Sequence, residues 1–377
     1  MDRPGGFGAV CLSARDARHA IPLLAIEKAG GTDHRPPGIL KRGQARVMKA
    51  IHCTAYGPPE VLRLVEVPKP APKDDEILIR IRATSVTAAD CEIRRFDFPG
   101  WIWLPLRLWF GLRRPRHPVL GQELAGDIEE TGAKVQSFRH GDRVFAATGM
   151  ALGAHAEWIC LREQPEGGAL AKIPANVSYA EAATVPYGGR EALQFLRKGP
   201  VRRGDRVLIN GAGGSFGTYA VQLARLLGAH VTAVDRGIKL DMLRSLGADE
   251  VVDYIQEDFT SNGRTYDLIF DVMGKSSLAR GLGSLTPHGK FLLSNPRFGQ
   301  LLRGLWASVT SGKKVIFGAE SGTNEDLAYL GGLIGSGQLR AVVDRVFPLE
   351  DMAEAHRYAE SGLKQGNIVI SVSNPDG

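Results

Sequence analysis

Short stretches of alternating apolar and polar residues run from residue 48 to residue 173. They lie at 48–54, 76–83, 126–130, 142–147 and 156–161, with glycine-rich turns and a proline-rich linker among them. A period of two is typical of β-strands that bury one face. We therefore predict a small all-β barrel with few helices in this part of the chain.

The pattern changes near Pro174, where apolar strands begin to alternate with helices that Gly228 and Gly247 terminate. The predicted strands are 206–210, 231–235, 250–253, 268–272, 291–294 and 315–317, and the predicted helices are 179–186, 218–227 and 239–246. This alternation indicates an α/β architecture with a doubly wound parallel sheet.

The tail returns to the first pattern. Its predicted elements are helices at 324–336 and 352–361 and strands at 342–347 and 367–372. The simplest arrangement lets these last strands complete the β-rich domain. We therefore predict a β-rich domain made of residues 48–173 and 319–377, with a parallel-sheet domain of residues 174–318 inserted between the two parts.

The first 47 residues differ from the rest of the chain. They contain eight basic and four acidic residues and several proline-glycine breaks, and their only sustained apolar patch is 21–26. That patch is too short for a signal peptide, and the acidic residues argue against a transit peptide. We predict that residues 1–47 form a disordered extension, with Met48 as a candidate for the true start.

The composition excludes several classes of protein. No apolar run approaches the ~18 residues needed to span a membrane. The four cysteines are far apart in sequence and form no metal-binding or redox pair, which predicts a cytoplasmic protein. Although the net charge is +6, much of it belongs to residues 1–47, so we expect no nucleic-acid binding.

A glycine-rich loop between a buried strand and a helix is the strongest local signal. The segment VLINGAGGSFG ends with the candidate cofactor-binding residues Gly211, Gly213, Gly214, Ser215, Phe216 and Gly217. Glycines allow a tight turn and a close backbone approach, so the helix N-terminus can receive a pyrophosphate. The spacing is one residue longer than the strict dinucleotide fingerprint, because Phe216 occupies the position of the last glycine.

The next predicted strand ends at Asp235, where an acid can accept hydrogen bonds from the adenosine ribose. Such an acid repels a 2′-phosphate and favours NADH. Arg236 and Lys239 could instead pair with that phosphate, and Tyr254 could hydrogen-bond to it. These residues leave both NADH and NADPH open.

Residues 48–372 resemble the medium-chain dehydrogenase/reductase superfamily, and most closely its zinc-free quinone oxidoreductase branch. The matching segments are YGPPEVL (56–62), ATSVTAAD (83–90), LGQELAG (120–126), HGDRVF (140–145), LGADEVVDY (246–254), YDLIFDVMG (266–274) and GNIVI (366–370). The resemblance implies a GroES-like catalytic domain and a Rossmann domain with the nicotinamide in the cleft between them. It also implies a homodimer formed through the edge strand near residues 314–317, and a slight preference for NADPH at Lys239 and Tyr254.

The resemblance also implies that catalytic zinc is absent. In the zinc alcohol dehydrogenases of this superfamily, two cysteines and a histidine bind the metal, and Thr87, Gln122 and Tyr187 stand at those positions here. A hydroxyl, an amide and a phenol make a poor zinc shell. Cys91 and Glu123 lie nearby in sequence but supply only two ligands.

Without a metal, a quinone or an α,β-unsaturated carbonyl is an easier hydride acceptor than an isolated ketone. The protein then supplies orientation, a dry pocket and a hydrogen-bond donor. Our candidates for the pocket are Thr87, Tyr187, Asp90 and Gln122, in that order. Three of them have a stated structural alternative: Thr87 could form a strand-end hydrogen bond, Tyr187 could pack in the core, and Asp90 could cap the following helix.

Residues 96–112 contain three of the five tryptophans, and several arginines follow closely. We favour an apolar lid over a hydrophobic substrate, with residues 301–309 as its counterpart. A surface that touches lipid, which would give peripheral membrane contact, and ordinary packing are the alternatives.

Three functions therefore stay open. The first is an NAD(P)H-dependent, zinc-independent reductase of quinones or enones. The second is an enoyl-thioester reductase, for which the arginines at 113–116 could hold a phosphorylated carrier. The third is a cofactor-binding adaptor without turnover.

Overall fold

A computed structural model describes residues 46–274, 276–294, 296–318 and 322–372. The predicted disordered extension therefore lies outside the described residues, apart from Arg46 and Val47. The described residues belong to one compact unit.

The barrel domain contains nine strands from both ends of the described chain. They are β1 (Val47–Cys53), β2 (Leu62–Pro68), β3 (Glu76–Val86), β4 (Glu123–Thr131), β5 (Arg143–Ala147), β6 (Trp158–Arg162), β7 (Ala169–Lys172), β14 (Val343–Pro348) and β15 (Asn367–Ser371). β1 and β2 form an antiparallel pair, and the main sheet has the order β14-β15-β3-β4-β5-β7, with β6 also paired to β3. The tail strands thus enter the barrel sheet beside β3.

The cofactor domain is built on a six-stranded parallel sheet. Its strands are β8 (Arg206–Asn210), β9 (His230–Asp235), β10 (Glu250–Asp253), β11 (Tyr266–Asp271), β12 (Leu285–Leu293) and β13 (Lys314–Phe317). Their order is β10-β9-β8-β11-β12-β13, so the chain reverses direction across the sheet between β8 and β11. In such sheets, ligands bind beyond the carboxyl ends of the strands at this reversal. The α/β fold with two domains is the one predicted.

The helices cover both domains. They are α1 (Ala88–Arg95), α2 (Gly100–Phe110), α3 (Tyr179–Ala182), α4 (Gly188–Lys198), α5 (Ser215–Leu226), α6 (Leu240–Ser245), α7 (Leu278–Gly283), α8 (Phe298–Thr310), α9 (Asn324–Gly335) and α10 (Met352–Glu360). Four short 3₁₀ segments occur at Pro59–Val61, Gly149–Ala151, Gly237–Lys239 and Leu349–Asp351.

One predicted helix, 179–186, is wrong in its extent. The capping box of Ser178 and Glu181 does open α3, but α3 ends at Ala182 and α4 begins only at Gly188. Pro186 explains the break, because a proline disfavours helical backbone in the residue before it. The break places Tyr187 at the start of a second helix.

Candidate cofactor and active site

The glycine-rich loop joins β8 to α5 by a sharp turn. Gly211 has a φ of +84°, a conformation that glycine adopts without strain. A β-carbon on Gly217 would approach the carbonyl oxygen of Gly211 to 2.3 Å, so only glycine fits there. The loop thus brings the exposed amides at the start of α5 to the carboxyl edge of the sheet, where a pyrophosphate can bind.

Asp235 is bound to this loop. Its Oδ2 accepts a hydrogen bond from the Gly213 N–H at 2.7 Å, and its Oδ1 accepts one from the Arg236 N–H at 2.8 Å. Lys239 Nζ lies 3.1 Å from Oδ1, and both side chains are almost fully buried. Asp235 therefore supports the loop, and its negative charge is largely balanced by Lys239.

Two further predicted residues surround this pair. The Tyr254 side chain is exposed, and its backbone N–H donates to the Asp235 carbonyl oxygen at 3.2 Å. Arg236 is half-buried, and its Nη1 reaches to within 3.6 Å of where a β-carbon on Gly362 would lie. A phenol and a guanidinium are therefore available where the adenosine end of a dinucleotide would lie.

Lys364 is a site residue that sequence reasoning missed. Its ammonium group donates to Ser215 Oγ at 2.8 Å, at the first residue of α5. The loss of surrounding water lowers the pKa of Lys364 to about 8, and the nearby charge of Lys239 adds to this effect. Lys364 is 149 residues from Ser215 in sequence, so no local motif indicates that its side chain reaches the loop.

The same C-terminal segment is joined to the loop through its backbone. The Gly366 N–H donates to the Gly213 carbonyl oxygen at 2.9 Å, and Ser215 Oγ lies 3.3 Å from the Gly366 carbonyl oxygen. Residues that lead into β15 of the barrel thereby form one wall of the cofactor loop.

Tyr187 meets the loop from the other side. Its ring centroid is 5.2 Å from that of Phe216, and a β-carbon on the next residue, Gly188, would approach the Ser215 carbonyl oxygen to 3.0 Å. Burial raises the pKa of the Tyr187 phenol well above its usual value, so the hydroxyl stays protonated. The groups that act on this phenol are nearby carboxylates, and no hydrogen bond of the hydroxyl to a described residue is among them.

Glu123 fixes the backbone at this position. Its Oε2 accepts the Tyr187 N–H at 2.7 Å, and its Oε1 accepts the hydroxyl of Ser85 from β3. Burial raises the pKa of Glu123 to about 7, although both hydrogen bonds oppose the shift. The acid joins the barrel to the start of α4.

Thr87 and Asp90 are engaged with each other. Thr87 Oγ1 donates to Asp90 Oδ2 at 2.6 Å and accepts the Asp90 N–H at 3.2 Å, which makes a capping box at the start of α1. Both side chains therefore take part in a helix cap. Two oxygens of the candidate residues, Asp90 Oδ1 and Gln122 Oε1, are buried and have no hydrogen-bond partner in the described part of the chain.

A separate groove of about 700 Å³ lies on the barrel domain, lined by residues that include Lys69, Arg82 and Trp158. Two of its cations are paired, Lys69 with Glu129 and Arg82 with Asp127. The groove includes none of the loop residues, so we do not assign the substrate to it.

Comparison with known proteins now identifies the family. The profile described as "Alcohol dehydrogenase GroES-like domain" matches residues 73–192, and the one described as "Zinc-binding dehydrogenase" matches residues 246–370. "Quinone-oxidoreductase QR1, chloroplastic" of Triphysaria versicolor is 30% identical over 349 residues, covering 86% of this chain and 98% of that protein. The chain belongs to the medium-chain dehydrogenase/reductase superfamily, in its quinone oxidoreductase-like branch.

Two further similar proteins have names that state an activity. "NAD(P)H oxidoreductase RTN4IP1, mitochondrial" of Mus musculus is 29% identical over 87% of this chain and 90% of its own length. The solved quinone oxidoreductase from Coxiella burnetii is 28% identical, covers 87% of this chain and all of that one, and superposes with a TM-score of 0.77. The protein is therefore an oxidoreductase with a nicotinamide cofactor. The two curated relatives carry chloroplast and mitochondrial names, and a cytoplasmic location for this chain stays a prediction.

The description of the second profile names zinc, so the residues at the zinc-ligand positions of that family bear on whether a metal could bind here. In the described ranges, no group of three or more His, Cys, Asp or Glu residues is placed to hold a metal. At the zinc-ligand positions, the Thr87 hydroxyl caps α1, while Gln122 and Tyr187 offer an amide and a phenol. Cys91, the nearest thiol in sequence, lies 3.3 Å from Nδ1 of the buried His356.

Proposed function

We propose that this protein is an NADPH-preferring, zinc-independent reductase of quinones or α,β-unsaturated carbonyl compounds. One observation carries the proposal: Tyr187, a protonated phenol to which no described residue is hydrogen-bonded, lies against Phe216 of the cofactor loop. A hydrogen-bond donor at this place can stabilise negative charge that develops on an acceptor oxygen.

In this proposal, each group in the cleft has a separate role in the reaction. The bound nicotinamide supplies the hydride. Tyr187 donates a hydrogen bond to the acceptor oxygen, and Glu123 holds the Tyr187 backbone in place. The Gln122 Oε1, which no described residue contacts by a hydrogen bond, offers an acceptor for the substrate or the cofactor carboxamide. The final proton comes from water.

The preference for NADPH rests on the charges around Asp235. Its carboxylate already accepts the Gly213 N–H and is paired with Lys239, so it repels a phosphate less than a free acid would. Arg236 and the exposed Tyr254 can then contact the 2′-phosphate. The same residues would accept NADH with fewer charge-assisted hydrogen bonds.

The proposal is tested on the full chain with EDTA present throughout. Oxidation of NADPH, and separately of NADH, is followed by the near-ultraviolet absorbance of the reduced nicotinamide against a panel of quinones and enals. We expect metal-independent turnover with the higher kcat/KM for NADPH. Tight cofactor binding without reduction of any panel member would overturn the proposal and favour the adaptor.

A matched pair of variants tests the role of Tyr187. Tyr187→Phe is expected to lower kcat by about tenfold to a hundredfold with little change in cofactor Kd, because one oxyanion donor is lost. Tyr329→Phe, on an exposed helix position, is the control and should match the parent. Unchanged kcat in Tyr187→Phe would remove the phenol from the mechanism.

A further inference from the structure

The outer face of α2 is apolar and exposed. Leu104, Leu108 and Trp109 are 57%, 52% and 48% exposed, and Leu112 in the following turn is 60% exposed. Trp103 lies at the edge of this face: it is 41% exposed, and its ring centroid is 5.8 Å from that of Phe96. Adjacent apolar side chains in this number mark an interaction surface. We call these five residues the tryptophan face.

The inner face of α2 holds this surface rigidly on the barrel. Phe110 is buried, and its ring lies 6.4 Å from that of Phe96. The Arg107 guanidinium stacks 4.1 Å from the Tyr56 ring and 4.4 Å from the Phe96 ring. The tryptophan face is therefore presented by an anchored helix, and residues 96–112 divide between core packing and an exposed surface.

The turn that follows α2 is strongly basic. Arg113, Arg114 and Arg116 are exposed, and none of them forms an ion pair with another described residue. No aspartate or glutamate occurs between residues 98 and 122. Unpaired cations beside an apolar face attract a partner that carries both negative charge and hydrocarbon.

We propose that the tryptophan face and the three arginines dock on the surface of an anionic phospholipid membrane. Leucine side chains can enter the acyl boundary, tryptophans favour the interfacial layer, and arginines pair with lipid phosphates. None of the helices in the described ranges is long and apolar enough to cross a bilayer. The predicted docking is peripheral and does not depend on the proposed reductase activity.

A second exposed apolar helix supplies the control. On α8, Leu302, Trp306 and Val309 are 56%, 71% and 86% exposed. This helix packs on the edge strand β13, where a β-carbon on Gly304 would meet the Phe317 ring at 2.4 Å. We expect the β13 edge to form the interface of a homodimer.

The experiment is co-sedimentation of the full chain with vesicles of phosphatidylcholine alone or mixed with phosphatidylserine. We expect binding to the mixed vesicles only, and weaker binding as salt is raised. Leu104→Glu/Leu108→Glu should lower binding by at least about tenfold, and Arg113→Glu/Arg114→Glu should do the same. Trp306→Glu should bind like the parent, and circular dichroism should show all variants folded.

The outcomes are separable. Absence of binding to mixed vesicles, or equal binding by the parent and both α2 variants, would overturn the proposal. If only Trp306→Glu lost binding to the vesicles, the lipid-binding surface would be on α8 and the proposal would be wrong. If the α2 variants reduce the oligomer mass on gel filtration, the tryptophan face covers a second copy instead. The vesicle experiment contains no cofactor or acceptor. Its result is therefore independent of whether the protein has reductase activity.

Discussion

Lys364 places an ammonium group beside Ser215, with a pKa of about 8 in the cofactor-free protein. Below that pH the group is protonated and can pair with the cofactor pyrophosphate. Above it the group is neutral, so the Kd for NADPH should rise by up to about tenfold per pH unit. Titrating the protein with NADPH from one unit below to one unit above this pKa measures the effect.

Two variants isolate this lysine. Lys364→Gln should bind NADPH about tenfold more weakly near neutral pH and lose the inflection, because one charge-assisted hydrogen bond is gone. Lys364→Arg should keep the affinity and also lose the inflection, since a guanidinium stays charged. If Lys364→Gln retained both the affinity and the inflection, the lysine would not face the cofactor.

At the level of single residues, the sequence predicts what local chemistry requires. The glycines of the loop are recognisable because a turn that binds phosphate needs them at fixed spacing. The hydrogen bond from Gly213 to Asp235 and the contact between Lys364 and Ser215 depend on the tertiary fold. Local pattern therefore identifies the loop, while the charges that surround it need coordinates.

The capping box of α1 allows a prediction at the level of elements. Thr87→Ala removes the hydroxyl that accepts the Asp90 N–H, at about 1 kcal/mol, and also a buried methyl group, so the free energy of unfolding should fall by about 2 kcal/mol. Thr87→Ser keeps the cap and loses only the methyl group, so it should cost about 0.8 kcal/mol. Urea unfolding of both variants, together with their kcat values, makes the measurement.

The paired variants also decide the role of Thr87. If the residue only caps α1, both variants should retain kcat once folded. A loss of kcat in folded Thr87→Ala that Thr87→Ser does not share would return the Thr87 hydroxyl to the pocket.

Elements with a clear period were predicted more accurately than those without one. The predicted helices 324–336 and 352–361 differ by one residue from α9 and α10. In α2, apolar residues lie on nearly every side, so the sequence suggests an apolar segment without deciding which face is buried. Only the contacts of Phe110 and Arg107 show which side faces the barrel.

Glu123 gives a prediction for the whole molecule because it joins β3 to α4. Its pKa rises from the ordinary 4.5 to about 7 in the folded protein, so the native state retains a proton that the unfolded chain has lost. Stability from this group is full below the ordinary pKa and is lost as pH rises through about 7. Glu123→Gln should remove that loss.

The measurement is the free energy of unfolding in urea for parent and variant across this pH range. As pH rises, the free energy of unfolding of the parent should fall relative to that of Glu123→Gln. The other titrating groups are present in both proteins and cancel in this difference. Parallel curves would show that Glu123 is ionised in the folded protein at all these pH values.

The alternation of strand and helix predicts the parallel sheet because each unit is local. It also suggests that the tail returns to the barrel, since the last strands resemble the first in pattern. The joint between the domains was not predicted: the Gly366 N–H donates to Gly213, and Glu123 accepts the Tyr187 N–H. Each of these bonds is donated by a backbone N–H, which every residue except proline has, so the sequence gives no local pattern for them.

The pairing of β15 with β3 has a consequence for biosynthesis. In that pair Ile368 lies opposite Val86, so the partner of β3 leaves the ribosome on the order of tens of seconds after β3 itself. During this interval the cofactor domain is complete in sequence and can fold, while the barrel keeps an open strand edge. Open edges recruit other chains. The nascent protein is therefore most exposed to aggregation at residues 83–86, and the pairing of β15 with β3 is the event that closes this edge.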